Sequence, residues 1–210
     1  MKNFFLWITF FFALCGIALA QGENAATQPA ANKSFARQQL SVLVGADLAL
    51  QKIKADGVTY QPSKSGAISG SYRFNLRPWI GAEADYDFFR NNQRFTVAGV
   101  TSYYPVNVHV ATANAVFQFK NPMTKRLRSF VSVGGGEMLF EPRVADAFDH
   151  QQRTVISIGG GNDLLLSQHL SLRLRTNGYV YKAPDFGQSQ LKINKYSEVF
   201  IPSVGVVYNF

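Results

Sequence analysis

The chain is poor in charge, in cysteine and in long apolar runs. Charged residues fill 16% of its 210 positions, whereas a typical soluble domain carries about 25%. The single cysteine, Cys15, has no second cysteine to pair with. After residue 20 no uninterrupted apolar stretch approaches the ~20 residues that a membrane-spanning helix needs. A disulfide-stapled domain and a helical membrane protein are therefore both excluded.

Catalytic and cofactor-binding signatures are also missing. The sequence contains no H-E-x-x-H pair, no P-loop, no cysteine pair and no G-x-S-x-G turn. The glycine triplets at 134–136 and 159–161 precede no helical pattern, which favours tight packing in a strand over a phosphate loop. The histidines are interpreted as polar surface residues. We therefore predict no catalytic residue, no metal site and no cofactor.

The first twenty residues have the pattern of a cleaved export signal. Lys2 supplies positive charge, an apolar segment runs from Phe4 to Ile17, and Ala18-Leu19-Ala20 forms a small-residue cleavage site. Residues 21–37 are rich in Ala, Gln and Asn, and are predicted to be a flexible periplasmic segment. Residues 38–210 remain as one folded domain. Cleavage would leave the mature chain without cysteine.

From Leu40 onward, apolar and polar residues alternate with a period of two, which is typical of strands and not of helices. Between Trp79 and Phe88 the even positions are apolar, whereas the odd positions include three acids. Between Leu170 and Asn177 leucines alternate with serine and two arginines. Each strand therefore separates two different environments.

Two all-β architectures share this alternation. In a soluble sandwich the apolar face is the core, whereas in a membrane barrel it faces lipid. The apolar faces here end in aromatic residues, like the girdles that flank the apolar band of an outer-membrane barrel. The opposite face mixes small residues with charges of both signs, as a narrow polar lumen requires. The aromatic residues at the ends of these faces are Tyr86, Phe88, Phe117, Phe119, Tyr208 and Phe210.

The alternation predicts eight strands, each close to the ~9–11 residues that a tilted strand needs to cross a bilayer. The long connections all fall at one end of the strands and the short turns at the other, as in transmembrane barrels. An even strand number places both termini on the periplasmic side. We predict an all-β fold, an eight-stranded antiparallel up-and-down transmembrane β-barrel. Its strands are predicted at 40–51, 67–76, 79–90, 108–119, 129–140, 154–166, 170–181 and 200–210, with long connections at 52–66, 91–107, 141–153 and 182–199.

The polar faces predict a network of paired charges inside the barrel. Opposed residues of an antiparallel hairpin have a constant index sum, so a turn at Arg77–Pro78 sets Arg73 opposite Glu83. A turn at 167–169 likewise sets Asp163 opposite Arg173. Side chains fill the interior of an eight-stranded barrel, and buried charges must be paired. The predicted network contains Asp47, Arg73, Glu83, Asp85, Asp163, Arg173 and Arg175.

Three residues fit the two faces poorly. Glu137 shares the lipid face with Val131 and Val133, unless a bulge at residues 134–136 changes its side. Tyr179 and Tyr181 fall on the polar inner face, unless Gly178 marks a bulge or both tyrosines lie above the membrane.

With strands and loops placed, residues 38–210 resemble the bacterial outer-membrane β-barrel superfamily of eight-stranded OmpA- and OmpX-like proteins. The resemblance implies an outer-membrane location, with Tyr208 and Phe210 in a C-terminal signal for the barrel-assembly machinery. The peptidoglycan-binding domain of the OmpA family has no counterpart here. The resemblance rests on Gly70-Ser71-Tyr72-Arg73-Phe74, Trp79-Ile80-Gly81-Ala82-Glu83, Gly159-Gly160-Gly161 and the final segment Val204-Gly205-Val206-Val207-Tyr208-Asn209-Phe210.

We therefore predict a non-enzymatic outer-membrane barrel with a structural, surface-interaction or narrow-porin role. The expected partners are outer-membrane lipids and lipopolysaccharide, the barrel-assembly machinery, and an extracellular ligand bound by the long loops. Export argues against nucleic acid as a partner, despite the net charge of +8. The basic turn Lys120–Arg128 either meets phosphate-rich polyanions or is simply solvated.

Two alternatives stay open. A barrel enzyme that acts on lipid A would use the H-x-S spacing of His169 and Ser171, although this pair falls at a predicted periplasmic turn. A soluble periplasmic barrel would instead turn its apolar faces inward around an apolar ligand.

Overall fold

The computed structural model describes residues 36–49, 52–55, 57–120, 126–143 and 149–210. The predicted signal peptide at 1–20 and most of the predicted segment 21–37 lie outside these residues. Within them, no helix is long and apolar enough to cross a membrane. The strands are β1 (Gln38–Asp47), β2 (Ile53–Ala55), β3 (Val58–Pro62), β4 (Ser65–Arg77), β5 (Ile80–Val97), β6 (Val100–Lys120), β7 (Leu127–Pro142), β8 (Gln151–Leu165), β9 (Leu170–Lys182) and β10 (Tyr196–Asn209).

Eight of these strands form a closed antiparallel barrel. Each long strand pairs with its neighbour in the chain from β4 to β10, and β1 pairs with both β4 and β10, so the sheet has no gap in its circumference. The short strands β2 and β3 pair with each other, and β3 also pairs with β5. This pairing lies at the end of the barrel that carries the long connections, which we call the upper end. The predicted eight-stranded up-and-down barrel is confirmed.

The two faces of the barrel wall are those that the alternation predicts. On β1, Val42 is 58% exposed on the outside, whereas its neighbours Ser41 and Leu43 point inward and are buried. A belt of large apolar side chains surrounds the outside in the same way. Its members include Leu40, Val42, Val44, Ile68, Phe74, Leu76, Val131, Val133, Ile156, Ile158, Leu174, Val204 and Val206.

Two of the predicted long connections are wrong in detail, because the chain there forms strand. Residues 91–107 continue β5 and β6 into a long hairpin that turns at Ala98 and Gly99, both with positive φ (48° and 83°). The connection 52–66 contains β2 and β3. Above the belt the polarity of the wall reverses, since Phe95 points inward and Arg94 outward. A pattern that assumes apolar-out strands therefore misses these extensions.

The structure shows where the three residues that fit the predicted faces poorly are located. The pairing of β7 with β6 and β8 runs without a register shift, so residues 134–136 carry no bulge. Glu137 faces outward at the upper end of the belt, where its carboxylate accepts a hydrogen bond from Gln152. Tyr179 and Tyr181 point inward and are buried.

Candidate functional site: the barrel interior

The lower half of the interior holds a cluster of seven charged side chains, which we call the charged cluster. Strand register places Arg73 opposite Glu83 and Asp163 opposite Arg173, as the index sums predict. All of these groups are almost completely buried, and Arg73 and Arg173 have no exposed surface. The members are Arg73, Glu83, Asp85, Asp87, Asp163, Arg173 and Arg175.

Arg173 makes the best-defined pair of the charged cluster. Its Nε lies 2.7 Å from Asp163 Oδ1 and its Nη2 lies 2.8 Å from Oδ2, which is the two-pronged geometry of a strong charge-assisted pair. The Nη2 also donates to Gln39 Oε1 at 3.1 Å. The ion pair joins the neighbouring strands β8 and β9, and the hydrogen bond to Gln39 links them to β1, which lies beyond β10.

Arginines of one wall bind acids of the opposite wall. Arg175 on β9 donates to Glu83 Oε1 at 3.2 Å and to Asp85, and its Nη2 lies 3.6 Å from Asp87 Oδ1. Because these acids are on β5, the ion pairs cross the lumen and do not follow its wall. The ring of Phe130 packs against the charged cluster, with the guanidinium carbons of Arg73 and Arg173 at 4.1 Å and 4.9 Å from its centroid.

Six of the seven predicted network residues meet in the charged cluster, and Asp47 does not. Asp47 is buried higher in the interior, where it accepts hydrogen bonds from Asn91 at 2.8 Å and Ser65 at 3.3 Å. The sequence prediction also omits Asp87, which accepts hydrogen bonds from Ser69 and Tyr179. Asp87 has the same parity as Glu83 and Asp85 on β5, so alternation alone would have found it.

The upper half of the interior is mostly apolar, apart from a chain of hydrogen bonds that links Asp47, Asn91, Gln93 and the hydroxyl of Tyr60. Twenty buried side chains from the upper strands and the β9–β10 connection pack into one cluster, the apolar plug. The sequence analysis places Tyr179 and Tyr181 inward but does not anticipate the plug. Its members are Ile53, Val58, Tyr60, Ala67, Phe89, Phe95, Val106, Val108, Val110, Met138, Phe140, Val155, Tyr179, Tyr181, Ala183, Phe186, Leu191, Ile193, Val199 and Ile201.

The β9–β10 connection folds inward over the barrel mouth and completes the plug. Phe186 has a positive φ of 51°, which is uncommon for an aromatic residue, and its side chain is buried. Its ring packs at 6.3 Å from Phe95 and 6.4 Å from Phe140, edge to face in both cases. A residue held in this conformation inside a core is fixed by the packing around it.

Asp185 anchors the same connection to β8. Its carboxylate accepts a 2.6 Å hydrogen bond from Gln151 and lies 3.4 Å from Arg153 Nη2. Partial burial would raise the pKa of Asp185, but hydrogen bonds from Gln151 and the Gly187 amide, together with the charges of Arg153 and Lys192, outweigh it. The pKa of Asp185 is therefore lower than the ordinary 3.8.

The H-x-S pair and the C-terminal aromatic residues lie at the short-turn end of the barrel. His169 stacks on Tyr208 and contacts the carbonyl oxygen of Asn209 at 3.1 Å. Ser171 points into the barrel, is buried, and accepts a hydrogen bond from Asn209 at 2.9 Å. Tyr208 and Phe210 face outward with their rings edge to face at 4.9 Å. The hydroxyl of Ser171 and the ring of His169 thus contact different groups of Asn209, its side-chain amide and its backbone carbonyl.

Comparison with known proteins agrees with this architecture. Residues 12–210 match the family described as outer membrane protein beta-barrel domain. OprG of Pseudomonas aeruginosa is a similar solved structure, with a TM-score of 0.60 at 12% identity, covering 86% of this chain and 99% of OprG. Neisserial surface protein A gives a TM-score of 0.59 at 10% identity, covering 82% of this chain and 96% of that protein. The N-terminal barrel domain of Pseudomonas aeruginosa OprF gives 0.52 at 15% identity, with coverage of 84% and 100%. A search of curated proteins found no match.

Proposed function

Because the chain belongs to the outer membrane protein beta-barrel domain family, we propose that this integral outer-membrane protein is closed to solutes and works through its extracellular surface. One observation carries the proposal: the lumen is filled along its length, by the charged cluster below and by the apolar plug above. Long connections of such barrels face the outside of the cell. The plug therefore lies at the extracellular mouth, and the charged cluster lies within the membrane.

Both halves of the interior oppose the passage of ions and polar solutes. In the lower half a solute would have to displace cross-lumen pairs such as Arg175–Glu83, whose side chains are 2% exposed. Leaving one member of a buried ion pair without its partner costs about 3–5 kcal/mol. In the upper half a solute would have to pass the packed side chains of the apolar plug, where buried polar groups such as Gln93 are already hydrogen-bonded to their neighbours. These two barriers in series support a structural or surface-interaction role over that of a narrow porin.

The position of the H-x-S pair supports a non-enzymatic role. His169 lies at the periplasmic end, whereas the outer leaflet that carries lipid A surrounds the other end of the barrel. Ser171 is buried in the lumen and is occupied by Asn209. A His–Ser mechanism needs both groups within hydrogen-bond reach at an accessible surface. We propose that the protein is not an enzyme.

The proposed partners differ between the two ends of the barrel. At the periplasmic end, Tyr208 and Phe210 present adjacent exposed rings, a form suited to recognition by the barrel-assembly machinery during biogenesis. The apolar belt is the proposed contact for outer-membrane lipids. At the extracellular end the partner is lipopolysaccharide or a surface ligand, and nucleic acid is not a proposed partner. The basic turn Lys120–Arg128 is described only at its two ends, since residues 121–125 lie outside the described part of the chain.

Conductance of the purified barrel in planar lipid bilayers tests the proposal. We expect the full barrel to show no defined current steps, with a known porin as the positive control. A variant that lacks residues 184–194, and with them three plug side chains, should pass more current than the full barrel. Stable, reproducible steps from the full barrel would contradict the proposal and favour a narrow porin.

A further inference from the structure

The extracellular parts of β2, β3, β5 and β6 form one sheet whose outward side chains are aligned in rows. Lys54, Thr59, Thr96 and Thr101 are successive cross-strand neighbours and form one row. Gln61, Arg94 and Tyr103 are aligned in the same way and form the next row. We call this outward surface the basic sheet face.

A shallow groove of about 190 Å³ lies on the basic sheet face. The side chain of Arg94 donates to Gln61 Oε1, and the hydroxyls of Thr96 and Thr101 lie 2.9 Å apart. Threonine hydroxyls and amides can exchange hydrogen bonds with sugar hydroxyls, and the 61% exposed Tyr103 offers a ring that a sugar could stack on. The lining residues are Lys52, Thr59, Gln61, Arg94, Thr96, Thr101 and Tyr103.

The described residues of this face carry charge of one sign. The described residues of its segments, 52–55, 57–66 and 90–107, contain no aspartate or glutamate. Asp56 lies outside the described residues. Concentrated positive charge attracts phosphate and carboxylate groups. Glu141 of β7 lies at the edge of the face, in the same row as Arg90 and Asn107. The cations of the face are Lys52, Lys54, Lys64, Arg90 and Arg94.

The position of the face on the barrel wall and its outward direction restrict the ligands that it can contact. Arg90 follows Phe88 on the same side of β5, about 7 Å further along the strand, so the cations begin where the lipid-facing belt ends. The face also points sideways from the barrel wall, like the belt below it. It therefore looks toward the headgroups of neighbouring lipids and not into the medium above the cell.

We infer that the basic sheet face binds the phosphate-bearing sugar headgroups of glycolipids in the outer leaflet. In this arrangement Arg94 and the flanking lysines bind phosphates, while the threonine row and Tyr103 contact sugar rings. The inference rests on one part of the proposed function, namely that the protein works through its extracellular surface.

Binding of purified, phosphorylated lipopolysaccharide to the full barrel in detergent micelles tests the inference. The variant K52Q/K64Q/R94Q removes three cations of the face. The control R37Q/R77Q/K195Q removes the same charge from exposed positions elsewhere, two of them at the short-turn end of the barrel. Each lost cation near a charged lipid surface reduces binding by about fivefold, so the first variant should bind on the order of a hundredfold more weakly. The control should bind within about threefold, because charges beyond the ~8–10 Å screening length contribute little.

Two further probes identify the source of the ligand. Dephosphorylated lipopolysaccharide should bind the wild-type barrel weakly, and dextran sulfate should not compete at equal charge concentration. Equal losses in the two variants, or undiminished binding of the dephosphorylated lipid, would overturn the inference. Effective competition by dextran sulfate would overturn the assignment to a lipid-borne ligand. Planar-bilayer conductance is independent of these outcomes, so failure here and failure of the closed-barrel proposal are distinguishable.

Discussion

The pair formed by Arg173 and Asp163 allows the most exact test of the charged cluster. Replacement of Arg173 by methionine keeps much of the side-chain volume and removes the guanidinium. Asp163 then loses two hydrogen bonds, of 2.7 Å and 2.8 Å. The nearest guanidinium left to it in the charged cluster is that of Arg73, whose Nη1 lies 3.8 Å away.

The burial of the two side chains determines the expected loss in free energy of unfolding. The side chains of Arg173 and Asp163 are 0% and 4% exposed, so the abandoned carboxylate gains little solvation. Removing one partner of such a pair typically costs about 3–5 kcal/mol, and we expect the lower end because Arg73 remains. In the double variant R173M/D163L no charge is left unpaired, so the loss should be smaller than the sum of the single losses by about 1–3 kcal/mol.

Urea unfolding of the barrel in lipid vesicles measures these changes. Trp79, at a short turn and 52% exposed, reports insertion by its fluorescence, and Trp7 lies in the predicted signal peptide. The control R143M alters an exposed arginine and should change the free energy of unfolding by less than about 0.5 kcal/mol. If R173M is as stable as R143M, or if the single losses simply add, the charged cluster does not stabilise the barrel as argued.

Three other predictions concern the belt, a close contact and the plug. V42R places a cation on the lipid face and should cost about 2–4 kcal/mol in vesicle unfolding, whereas V100R at the hairpin tip should cost almost nothing; equal costs would contradict the membrane position. At Gly136 an added Cβ would lie 2.0 Å from the Ala111 carbonyl oxygen, whereas Gly66 has open space. G136A should therefore destabilise by about 1–3 kcal/mol and G66A should not; a neutral G136A would refute the close contact. Because the pKa of Asp185 is lower in the folded protein, its stabilisation of the plug is complete above its ordinary pKa of 3.8 and is lost as pH falls through the lower folded value. The hydrogen-exchange protection of residues 183–195, corrected for the intrinsic rate at each pH, should decrease along that fall in the wild type, and D185N should be less protected at neutral pH without this dependence.

The fold could be predicted from the sequence because lipid and lumen impose opposite polarities on alternate residues. That contrast marks both faces of β1, β4 and β9. A turn at Pro78 and Trp79, together with a register shift between Asn75 and Arg77, brings Arg73 opposite Glu83. The same alternation places Asp87 on the inner face, together with Glu83 and Asp85.

The extracellular half was harder to predict for a physical reason. Above the belt the outside of the wall faces water and the inside faces the plug, so Arg94 points outward and Phe95 inward, the reverse of the pattern below. Pairing between distant segments, such as β3 with β5, leaves no local signal. The inward fold of the β9–β10 connection depends on Phe186. The positive φ of this residue is fixed by the rings packed around it and not by the local sequence.

Thiol accessibility in intact cells tests most directly whether the lumen is closed. The only cysteine, Cys15, lies in the predicted signal peptide, so single-cysteine variants of the mature barrel have a clean background. S71C places a near-isosteric thiol inside the lumen at a position that is 2% exposed, and V100C places one at the exposed hairpin tip. The account predicts rapid labelling of V100C by a small membrane-impermeant thiol reagent, and labelling of S71C only after denaturation. Labelling of S71C in intact cells at a rate close to that of V100C would show a water-filled lumen open to the outside and would contradict the account.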